Sequence, residues 1–531
     1  MAVVDANWLD TTLNRLPVPT LWALFIFRLI DSLSINTFFQ ADEYWQVLEP
    51  AHVAVFGYGY LTWEWNYGLR SYLHPIIYMI PYWIIKQLNL PPNVEYIFVQ
   101  LSPKFINALI ASLGEFYLYR YIQLKFNNKK LAILVSYLSI FSAWNWYCWC
   151  RSFANSFELS LTIISLYYLE ASQISKSLLF AAINCIIRPT NSIIWIFYLP
   201  YEFFNHTSYI MDASFIGSIV LAIDSSVNYY FYSSWKLPLI EFFKFNVFDN
   251  LSAFYGVSDP SFYFVQAIPL LLLNYLIFFL IGILKTPWSE FKSLMLFYLV
   301  IFSFISHKEF RFIYPLIPML LTYTASGILS ISNRVSNKLM KLYIFITIIS
   351  SCMLGYYFTR YHETGEYQIP SIMRGIVIKE NESINATKPI TIGFLTPCHS
   401  TPFQSHFHLD DSEAQIWFLT CEPPLSTNLK DGVTVSEYMD ESDYFYENPL
   451  QFVQDNFPDF NDQSINLQAE WPHQWPDYLI VFENLFDNNP TLEEYIKSNY
   501  QIDRSIWNAP FHWDDRRTGN LLILKKYSIN S

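Results

Sequence analysis

Long apolar runs are the feature that most constrains how this chain of 531 residues can fold. An α-helix needs about 20 mostly apolar residues to cross the hydrocarbon core of a bilayer. About eleven runs approach that length, and they lie near 19–37, 72–89, 102–124, 130–148, 156–172, 177–200, 209–232, 262–284, 291–306, 311–330 and 340–359. Since several runs are short or contain charges, we predict a polytopic α-helical membrane protein with about 9–12 transmembrane helices.

The composition of the chain excludes several other classes of protein. Hydrophobic residues make up 53% of the sequence and charged residues only 15%, whereas an average soluble domain has about 25% charged residues. A disordered chain, a fibrous repeat, a coiled coil and an ordinary cytosolic enzyme are therefore excluded. The stretch before Pro17 is acidic and has no hydrophobic core, so we expect a cytosolic N-terminus rather than a cleaved signal peptide.

Charge is unevenly distributed along the chain. Residues 360–531 contain 26 Asp and Glu but 11 Lys and Arg, whereas the rest contains 19 and 21. We therefore predict a cytosolic segment at 1–18, a membrane domain at 19–359 and an acidic, water-exposed domain at 360–531. A nucleic-acid partner is not expected, because such a partner needs a basic face and the sequence indicates none. The Lys125–Lys130 cluster favours a cytosolic loop, but counting spans places it outside, so the topology of residues 72–155 stays open.

The segment 38–71, between the first two apolar runs, is too long and too aromatic for a simple connector. If residues 43–54 are helical, Asp42, Gln46 and Glu49 share one helix face. The Trp and Tyr side chains would hold this loop at the level of the lipid headgroups. Such a loop suits a site where a polar group carried by a lipid meets a carboxylate. The alternative is an amphipathic helix that rests on the membrane with solvated carboxylates.

Charged residues also occur inside or beside the apolar runs. Arg28 and Asp31 lie three residues apart in the first run and can pair. His307, Lys308 and Arg311 place three potential cations within five residues, between two apolar runs. Such a cluster suits a phosphate. The alternative is a set of long side chains that extend to the interface and only orient the protein.

The acidic tail is predicted to form a small mixed α/β domain. Strand-like runs lie at 390–395, 478–482 and 521–524, among turns rich in Pro and Asp. Cys398 and Cys421 are able to pair if the tail lies in an oxidising lumen.

The tail also contains closely spaced histidines, and possible glycosylation motifs occur in the tail and elsewhere. Three histidines occur between 399 and 408, but their spacing matches no metal motif, so we predict no metal site. Asn-x-Ser/Thr motifs occur at Asn205, Asn250, Asn381 and Asn385. A lumenal location would allow glycosylation of the last two, which follow the final apolar run.

Several blocks of sequence resemble a known family. They read FQADEYWQ at 39–46, TWEW at 62–65, RSY at 70–72 and HKEFRFIYP at 307–315. These blocks resemble the polytopic mannosyltransferases of the endoplasmic reticulum that use dolichyl-phosphate mannose, glycosyltransferase family 22. The resemblance implies the GT-C fold and a multi-pass location in the membrane of the endoplasmic reticulum. It also implies an active site in a large lumenal first loop, residues 38–71, and a lumenal location for the acidic domain at 360–531.

The tail block PCHSTPFQSH at 397–406 resembles the branch of this family that adds the third mannose of the GPI-anchor core. This implies transfer of an α1,2-linked mannose from dolichyl-phosphate mannose to a GPI precursor. Because the donor linkage is β, the reaction inverts and needs one general base. The family's catalytic first-loop acid matches Asp42, with Glu43 beside it. Relatives often carry His-Pro where this chain has Gln40 and Ala41.

The resemblance also implies roles for other residues. Arg or Lys can neutralise the leaving phosphate without a metal, so neither a metal nor another cofactor is expected. The residues expected to bind the donor phosphate are His307, Lys308 and Arg311, with Arg151 as a weaker choice. The residues expected to bind substrate, or alternatively to hold the loop against the membrane helices, are Gln46, Trp63, Glu64, Arg70 and His74.

Alternatives to this assignment remain. The enzyme could transfer a different mannose, to an N-glycan precursor or as a fourth GPI mannose. A non-catalytic subunit of a glycosylation complex would tolerate loss of Asp42. A transporter would show paired charges at mid-membrane and related halves, and the sequence indicates neither. The expected partners are the lipid-linked donor, the GPI precursor and the membrane of the endoplasmic reticulum.

Overall fold

The computed structural model describes residues 8–384, 388–425, 437–460 and 471–527. The chain divides into two compact units. The helical unit comprises the residues up to Ile35, Gln46–Ala51 and Glu64–Thr359, and the sheet unit comprises Asn36–Trp45, His52–Trp63 and the chain from Arg360 onward. The assignment of these residues to cytosol, membrane and lumen stays a prediction.

The helical unit consists of α-helices joined by short turns. Its α-helices are Trp8–Arg15, Leu21–Ser34, Trp63–Tyr67, Ile76–Gln87, Pro92–Phe126, Lys129–Ile140, Ala143–Cys148, Ala154–Glu170, Ile174–Ile187, Ser192–Asn205, Ser208–Tyr232, Pro238–Phe243, Ile268–Leu272, Leu276–Lys285, Glu290–Phe304, Ile317–Ser332 and Asn337–Arg360. Short 3-10 or π-helical segments lie at Pro189–Asn191, Lys244–Phe248, Leu251–Tyr255, Tyr263–Ala267, Leu273–Tyr275 and Phe310–Leu316.

Among the described residues, five helical segments are long and apolar enough to cross a membrane. They are Pro92–Phe126, Ser208–Tyr232, Tyr263–Lys285, Phe310–Ser332 and Asn337–Glu382. Other apolar runs form shorter helices, such as Leu21–Ser34 with 14 residues and Ala154–Glu170 with 17. The predicted number of about 9–12 spans includes these shorter helices, since it was based on apolar length rather than on unbroken helix.

Helix Leu21–Ser34 shows the burial pattern of a helix in lipid. Trp22, Ile26 and Ile30 lie on one face by their spacing of four residues, and they are 76%, 56% and 64% exposed. The opposite face carries Arg28, which is fully buried. A helix on the surface of a soluble protein has the reverse arrangement, so this pattern supports an apolar environment around the helical unit.

Arg28 is the centre of a buried hydrogen-bond network. Its Nε and Nη2 donate to the two carboxylate oxygens of Glu115 at 3.1 and 2.6 Å, and its Nη1 donates to Asp31 at 2.7 Å. Nη1 also donates to the carbonyl of Asn145 at 3.3 Å, and the Tyr314 hydroxyl donates to the Asn145 side chain at 3.0 Å. The network therefore joins four helical segments through groups that would be costly to bury unpaired.

Two glycines allow a close helix contact elsewhere in the unit. A Cβ on Gly282 would collide with the backbone carbonyl of Tyr323, and a Cβ on Gly327 would collide with that of Phe278. Small residues at such a crossing let two backbones approach closely, which is how helices associate in membranes. This contact fixes helices Leu276–Lys285 and Ile317–Ser332 against each other.

The sheet unit contains a five-stranded sheet with the order β2-β1-β3-β5-β4. The strands are β1 (Ile390–Leu395), β2 (Ala414–Phe418), β3 (Tyr478–Phe482), β4 (Tyr500–Ala509) and β5 (Gly519–Lys526). β1 pairs in parallel with β2 and β3, while β5 pairs antiparallel with β3 and β4. The α-helices of the tail are Thr364–Ile384, Gln404–Phe407, Glu441–Glu447, Pro449–Asn456, Glu483–Asn488 and Pro490–Lys497.

The prediction of a mixed α/β tail is confirmed, and its strand-like runs coincide with β1, β3 and part of β5. The sequence analysis missed β2 and β4, which are the two edges of the sheet. β4 is mostly exposed and contains Asp503 and Arg504. Edge strands commonly carry charges that discourage pairing with other chains, which explains why β4 lacks the apolar pattern by which a strand is recognised. The other edge strand, β2 (AQIWF), is mostly apolar and carries no charge, so this reason does not apply to it.

A buried ion pair holds the edge of the sheet to the helix that precedes it. Arg517 donates to the carboxylate of Glu366, and Asn508 donates to the same carboxylate at 3.2 Å. The guanidinium of Arg517 also lies 5.2 Å from the ring centre of Phe38, and the backbone N–H of Phe38 donates to the carbonyl of Glu363 at 3.0 Å. The start of the first loop is thereby fixed within the sheet unit.

We expect Arg28→Met to destabilise the protein strongly, because it leaves two buried carboxylates without their cation. Removal of one partner from a buried pair typically costs about 3–5 kcal/mol. The matched control is Lys130→Met, since Lys130 pairs with Asp10 at a position where both side chains are more than a third exposed and such pairs contribute about 0–1 kcal/mol. Thermal unfolding in detergent measures both, and equal losses would contradict the prediction.

Candidate active site

The first loop contains a helix whose geometry differs from the prediction. The short helix that carries Asp42 continues through a π-helical turn, Tyr44–Leu48, into helix Glu49–Phe56. A π-helix bonds residue i to i+5, so it changes the direction of the side chains that follow. The predicted common face does not extend to Glu49, because Asp42 and Gln46 are partly exposed whereas Glu49 is fully buried.

Within the sheet unit, the tail block packs directly on the first-loop block. The indole N–H of Trp45 donates to the carbonyl of Thr401 at 2.9 Å, although the two residues are 356 positions apart. The ring of Trp45 stacks on Phe403 with centroids 5.3 Å apart, and Tyr44 meets His406 edge-on at 5.0 Å. The two blocks recognised separately in the sequence thus form one structure around the residues that follow Asp42.

His399 lies in the middle of this contact. Its ring is 4.4 Å from that of Trp45, and its Nδ1 is 3.6 Å from the sulfur of Cys421, which forms a disulfide with Cys398. Burial lowers the pKa of His399 to about 4, although the negative charge of Asp42 acts in the opposite direction. His399 is therefore neutral at physiological pH.

The same cluster does not fit a metal ion. Cys398, His399 and Cys421 bring three potential ligand atoms within 4.8 Å of one another. The thiolate is the form of cysteine that binds metals, and these two sulfurs are bonded to each other. The disulfide therefore stabilises the structure of the tail block.

A pair of histidines, His52 and His408, connects the first-loop helix Glu49–Phe56 to the residues that follow the tail block. His52 Nε2 lies 2.9 Å from His408 Nδ1, and the hydroxyl of Tyr58 lies 3.2 Å from the same nitrogen. His52 and His408 are both buried. Arg374 donates to the carbonyl of Phe407 at 3.1 Å, which fixes the tail side of this contact.

In the helical unit, three of the predicted substrate-binding residues meet. Arg70 donates to one carboxylate oxygen of Glu64 through Nε at 3.1 Å and Nη2 at 2.7 Å. The amide of Gln46 donates to the same oxygen at 3.1 Å. His74 of the helical unit is buried, at 5% exposed, and so is Trp63 of the sheet unit, at 8%. The amide, carboxylate and guanidinium together form a polar group suited to sugar hydroxyls.

Helix Ser208–Tyr232 supports this polar group, and the sequence analysis did not identify its role. Ser71 donates to Asp224, the backbone N–H of Tyr72 donates to Asn228 at 3.0 Å, and the hydroxyl of Tyr232 donates to the carbonyl of Arg70 at 2.7 Å. The available signal was the spacing of Asp224, Asn228 and Tyr232, which are four residues apart in an apolar helix. Polar residues inside membrane helices usually face a partner or a site.

The predicted phosphate-binding cluster has a partner that the sequence analysis did not assign. Arg311 donates to Glu309 through Nε at 2.6 Å and Nη2 at 2.8 Å, and His307 Nε2 lies 3.2 Å from the same carboxylate. Lys308 donates to the carbonyl of Ser258 at 2.7 Å. Burial opposes ionisation of Glu309, but the charge of Arg311 and the hydrogen bonds from both neighbours hold its pKa well below the usual range.

The other proposed cation, Arg151, is held separately. It is almost fully buried and donates from Nε to the carbonyl of Tyr147 at 2.7 Å. Its guanidinium also lies 4.7 Å from the centre of the Tyr147 ring. Burial against the aromatic ring restricts the orientation of this guanidinium.

The predicted glycosylation sites differ in their surroundings. Asn205 and Asn250 are exposed, at the end of a helix and just before a 3-10 turn. Asn381 is partly buried in helix Thr364–Ile384, and Asn385 lies outside the described residues.

Comparison of the sequence with known protein families identifies the family of this chain. Residues 19–408 match the Alg9-like mannosyltransferase family, a range that contains the first loop, the cation cluster and the tail block. The chain belongs to the Alg9-like mannosyltransferase family. It is therefore a glycosyltransferase, as the sequence analysis predicted.

Individual members of the Alg9-like mannosyltransferase family align over nearly the whole chain. A GPI mannosyltransferase 3 from Debaryomyces hansenii is 40% identical over 94% of this chain and 90% of its own length. The protein of that name from Candida albicans is 38% identical over 94% and 96%, and that from Saccharomyces cerevisiae is 31% identical over 95% and 95%. The family resemblance stated from the sequence is confirmed.

Solved structures show the same fold as this Alg9-like mannosyltransferase. ArnT from Cupriavidus metallidurans bound to undecaprenyl phosphate superposes with a TM-score of 0.55 at 10% identity, covering 99% of both chains. Its apo state gives a TM-score of 0.52 over 94% and 95%. The predicted polytopic GT-C membrane fold is thus confirmed.

We expect the neutral state of His399 to make stability depend on pH. Its pKa is about 4 when folded, against an ordinary value of 6.5, so between these values the unfolded chain binds more protons. Stability therefore falls as pH decreases from about 6.5 toward 4, by up to about 1.4 kcal/mol per pH unit. His399→Asn should flatten the pH dependence of the melting temperature, whereas His206→Asn, at an exposed position, should not. An unchanged slope for His399→Asn would contradict this assignment.

Proposed function

We propose that this protein transfers mannose from dolichyl-phosphate mannose to the 2-hydroxyl of the second mannose of a GPI precursor, in the lumen of the endoplasmic reticulum. The product carries the third, α1,2-linked mannose. The choice of acceptor is supported by relatives named GPI mannosyltransferase 3 that align over at least 90% of their own length. The observation that carries the proposal is the packing of the tail block 397–406 on the loop that bears Asp42.

Asp42 is the proposed general base. It is partly exposed, whereas the neighbouring Glu43 is only 6% exposed, and a base must reach the proton that it removes. The acceptor oxygen bonds to the anomeric carbon while the bond from that carbon to the phosphate oxygen breaks. The bonding pair leaves with dolichyl phosphate, and the hydroxyl proton passes to Asp42. Attack from the opposite side converts the β linkage to α.

The leaving phosphate is proposed to be stabilised by the cluster of His307, Lys308 and Arg311. Glu309 holds His307 and Arg311 in fixed positions, and the Glu309 hydrogen bond and charge raise the pKa of His307 against the effect of its burial. Preorganised positive groups of this kind lower the energy of a developing anion. Arg151 is the weaker choice. This chemistry requires no metal and no cofactor.

The sugar rings are proposed to contact the polar group on the helical unit. Gln46, Glu64 and Arg70 already share hydrogen bonds, so a hydroxyl that enters can exchange with one of them at small cost. The flat faces of Trp63 and the imidazole of His74 are proposed to pack against the sugar or the lipid. The rigid support from helix Ser208–Tyr232 keeps these groups in place.

We expect Asp42→Asn to abolish mannose transfer without loss of folding. The loss of general-base catalysis is typically about 10²–10⁴-fold. The assay supplies labelled dolichyl-phosphate mannose and a two-mannose GPI precursor in detergent. The matched control is Asp410→Asn, since Asp410 is exposed and its carboxylate accepts hydrogen bonds from the nearby Ser412 in the tail.

The outcomes of this assay separate the alternatives. Product from the native protein and from Asp410→Asn, with none from folded Asp42→Asn, supports both the reaction and the base. Transfer by the native protein only to an N-glycan precursor, or only to a three-mannose GPI precursor, would contradict the proposed acceptor and assign that precursor instead. Equal activity of native and Asp42→Asn protein would remove Asp42 as the base, and no transfer to any acceptor would favour a non-catalytic subunit.

We expect Arg311→Gln to reduce kcat by roughly 10²–10³-fold, because one donor to the developing phosphate charge is lost. The same change also removes the arginine partner of the partly buried Glu309 and leaves it only His307 of this pair. The double variant Arg311→Gln/Glu309→Gln separates these effects, since it removes both charges. If Arg311 stabilises the phosphate, the double variant stays inactive, whereas recovery of activity would show that Arg311 only neutralises Glu309. Arg334→Gln, at an exposed position, is the control.

A further inference from the structure

The hairpin between β4 and β5 exposes large aromatic side chains to its surroundings. Trp507, Phe511 and Trp513 are 52%, 63% and 82% exposed. We call residues 507–513 the hairpin tip. Burial of such side chains is strongly favourable, and a cluster of them on a surface commonly marks a site of interaction with a protein or a membrane.

The hairpin tip is rigidly fixed by the residues between these aromatic side chains. His512 points inward, where its Nε2 lies 3.0 Å from the carboxylate of Glu363. Asn508 is fully buried, donates to the carboxylate of Glu366 and accepts from the backbone N–H of Glu366. Phe511 and Trp513, on either side of His512, are therefore held outward by the fold.

The fixed position of the tip lies next to the end of an apolar helix. Helix Asn337–Arg360 belongs to a segment long and apolar enough to span a membrane. The indole N–H of Trp507 donates at 3.2 Å to the carbonyl of Tyr361, the residue directly after this helix. The Phe511 ring is 6.2 Å from that of His362. A residue that follows directly on a spanning helix lies near the boundary between lipid and water, where Trp and Tyr are enriched.

The charge of this part of the tail also differs from the rest. Residues 500–527 contain three Asp and five Lys or Arg, whereas residues 360–499 contain 23 Asp and Glu but six Lys and Arg. Most of these basic residues pair with carboxylates: Arg504 with Asp503, Arg516 with Asp514, Arg517 with Glu366 and Lys525 with Glu380. The hairpin therefore differs from the rest of the tail by its lower negative charge, which lowers the cost of bringing it to a lipid surface.

We propose that the hairpin tip inserts Phe511 and Trp513 into the headgroup region of the bilayer that the protein spans. The sheet unit then has two attachments to the membrane, the apolar helix that ends at Arg360 and the hairpin tip. The occupant of this surface is lipid rather than a partner protein. The inference depends only on the described tail residues and not on the identity of the mannose acceptor.

The test measures the depth of residue 513 in a bilayer. Trp513→Cys is made in a background with Cys185→Ser and Cys352→Ser, since the remaining free cysteines, Cys148 and Cys150, are buried. The cysteine is labelled with a small fluorophore, and the full-length protein is placed in nanodiscs that contain spin-labelled lipid. Because Trp513 is 82% exposed, its replacement removes little internal packing, and mannose transfer by the labelled protein confirms folding.

The matched control is Ile502→Cys, an exposed apolar position near the far end of β4. It lies seven residues from the strand end at Ala509, which is about 23 Å at about 3.3 Å per residue. We expect lipid-borne spin labels to quench the fluorophore at 513 several-fold more than at 502, and a water-soluble quencher to show the reverse order. Equal quenching at both positions by lipid, or strong quenching at 513 only from water, would overturn the proposal. The second result would indicate a surface for a partner protein instead.

Discussion

The pairing of buried charges is the constraint on which both units depend. In the helical unit, Arg28 is fully buried and is compensated by Glu115 and Asp31, which belong to two different helices. In the sheet unit, Arg517 and Glu366 play the same part between the hairpin and the preceding helix. Because an unpaired charge in such surroundings is costly, each pair specifies which segments must be neighbours. Non-directional apolar packing does not by itself make that selection.

Specific contacts also position the first loop, which bears the proposed base Asp42. The carboxylate of Asp42 is carried by a very short helix, which by itself has no rigidity. Trp45 fixes the following turn by donating to Thr401, and a disulfide fixes the tail block beyond it. His399 stays neutral between them, so it does not neutralise the charge of Asp42, the proposed base. Holding a catalytic group by packing and hydrogen bonds around it limits its movement during reaction.

The elements that the sequence analysis recognised are those with a strong local pattern. β1 and β3 are buried apolar runs and were located correctly, whereas the edge strand β4 is interrupted by Asp503 and Arg504 and lacks that pattern. The edge strand β2 was missed although it is mostly apolar. The cation cluster was found because its charges interrupt apolar sequence, but its carboxylate partner Glu309 was not assigned. The π-helical turn after Asp42 was missed as well, since a single inserted residue in a helix leaves no periodic signal.

The sequence by itself determined the class of environment and the family. Apolar runs of spanning length indicate a membrane protein. Such runs must be helical in lipid, because lipid satisfies no backbone hydrogen bonds and only regular structure can cross it. The blocks at 39–46 and 397–406 determined the kind of chemistry. Only the tertiary structure decided that Trp45 meets Thr401, that Glu309 holds Arg311, and that Asp42 rather than Glu43 is open to solvent. Those facts depend on contacts between residues that are far apart in sequence or on which side of a helix is covered, and local patterns carry no information about either.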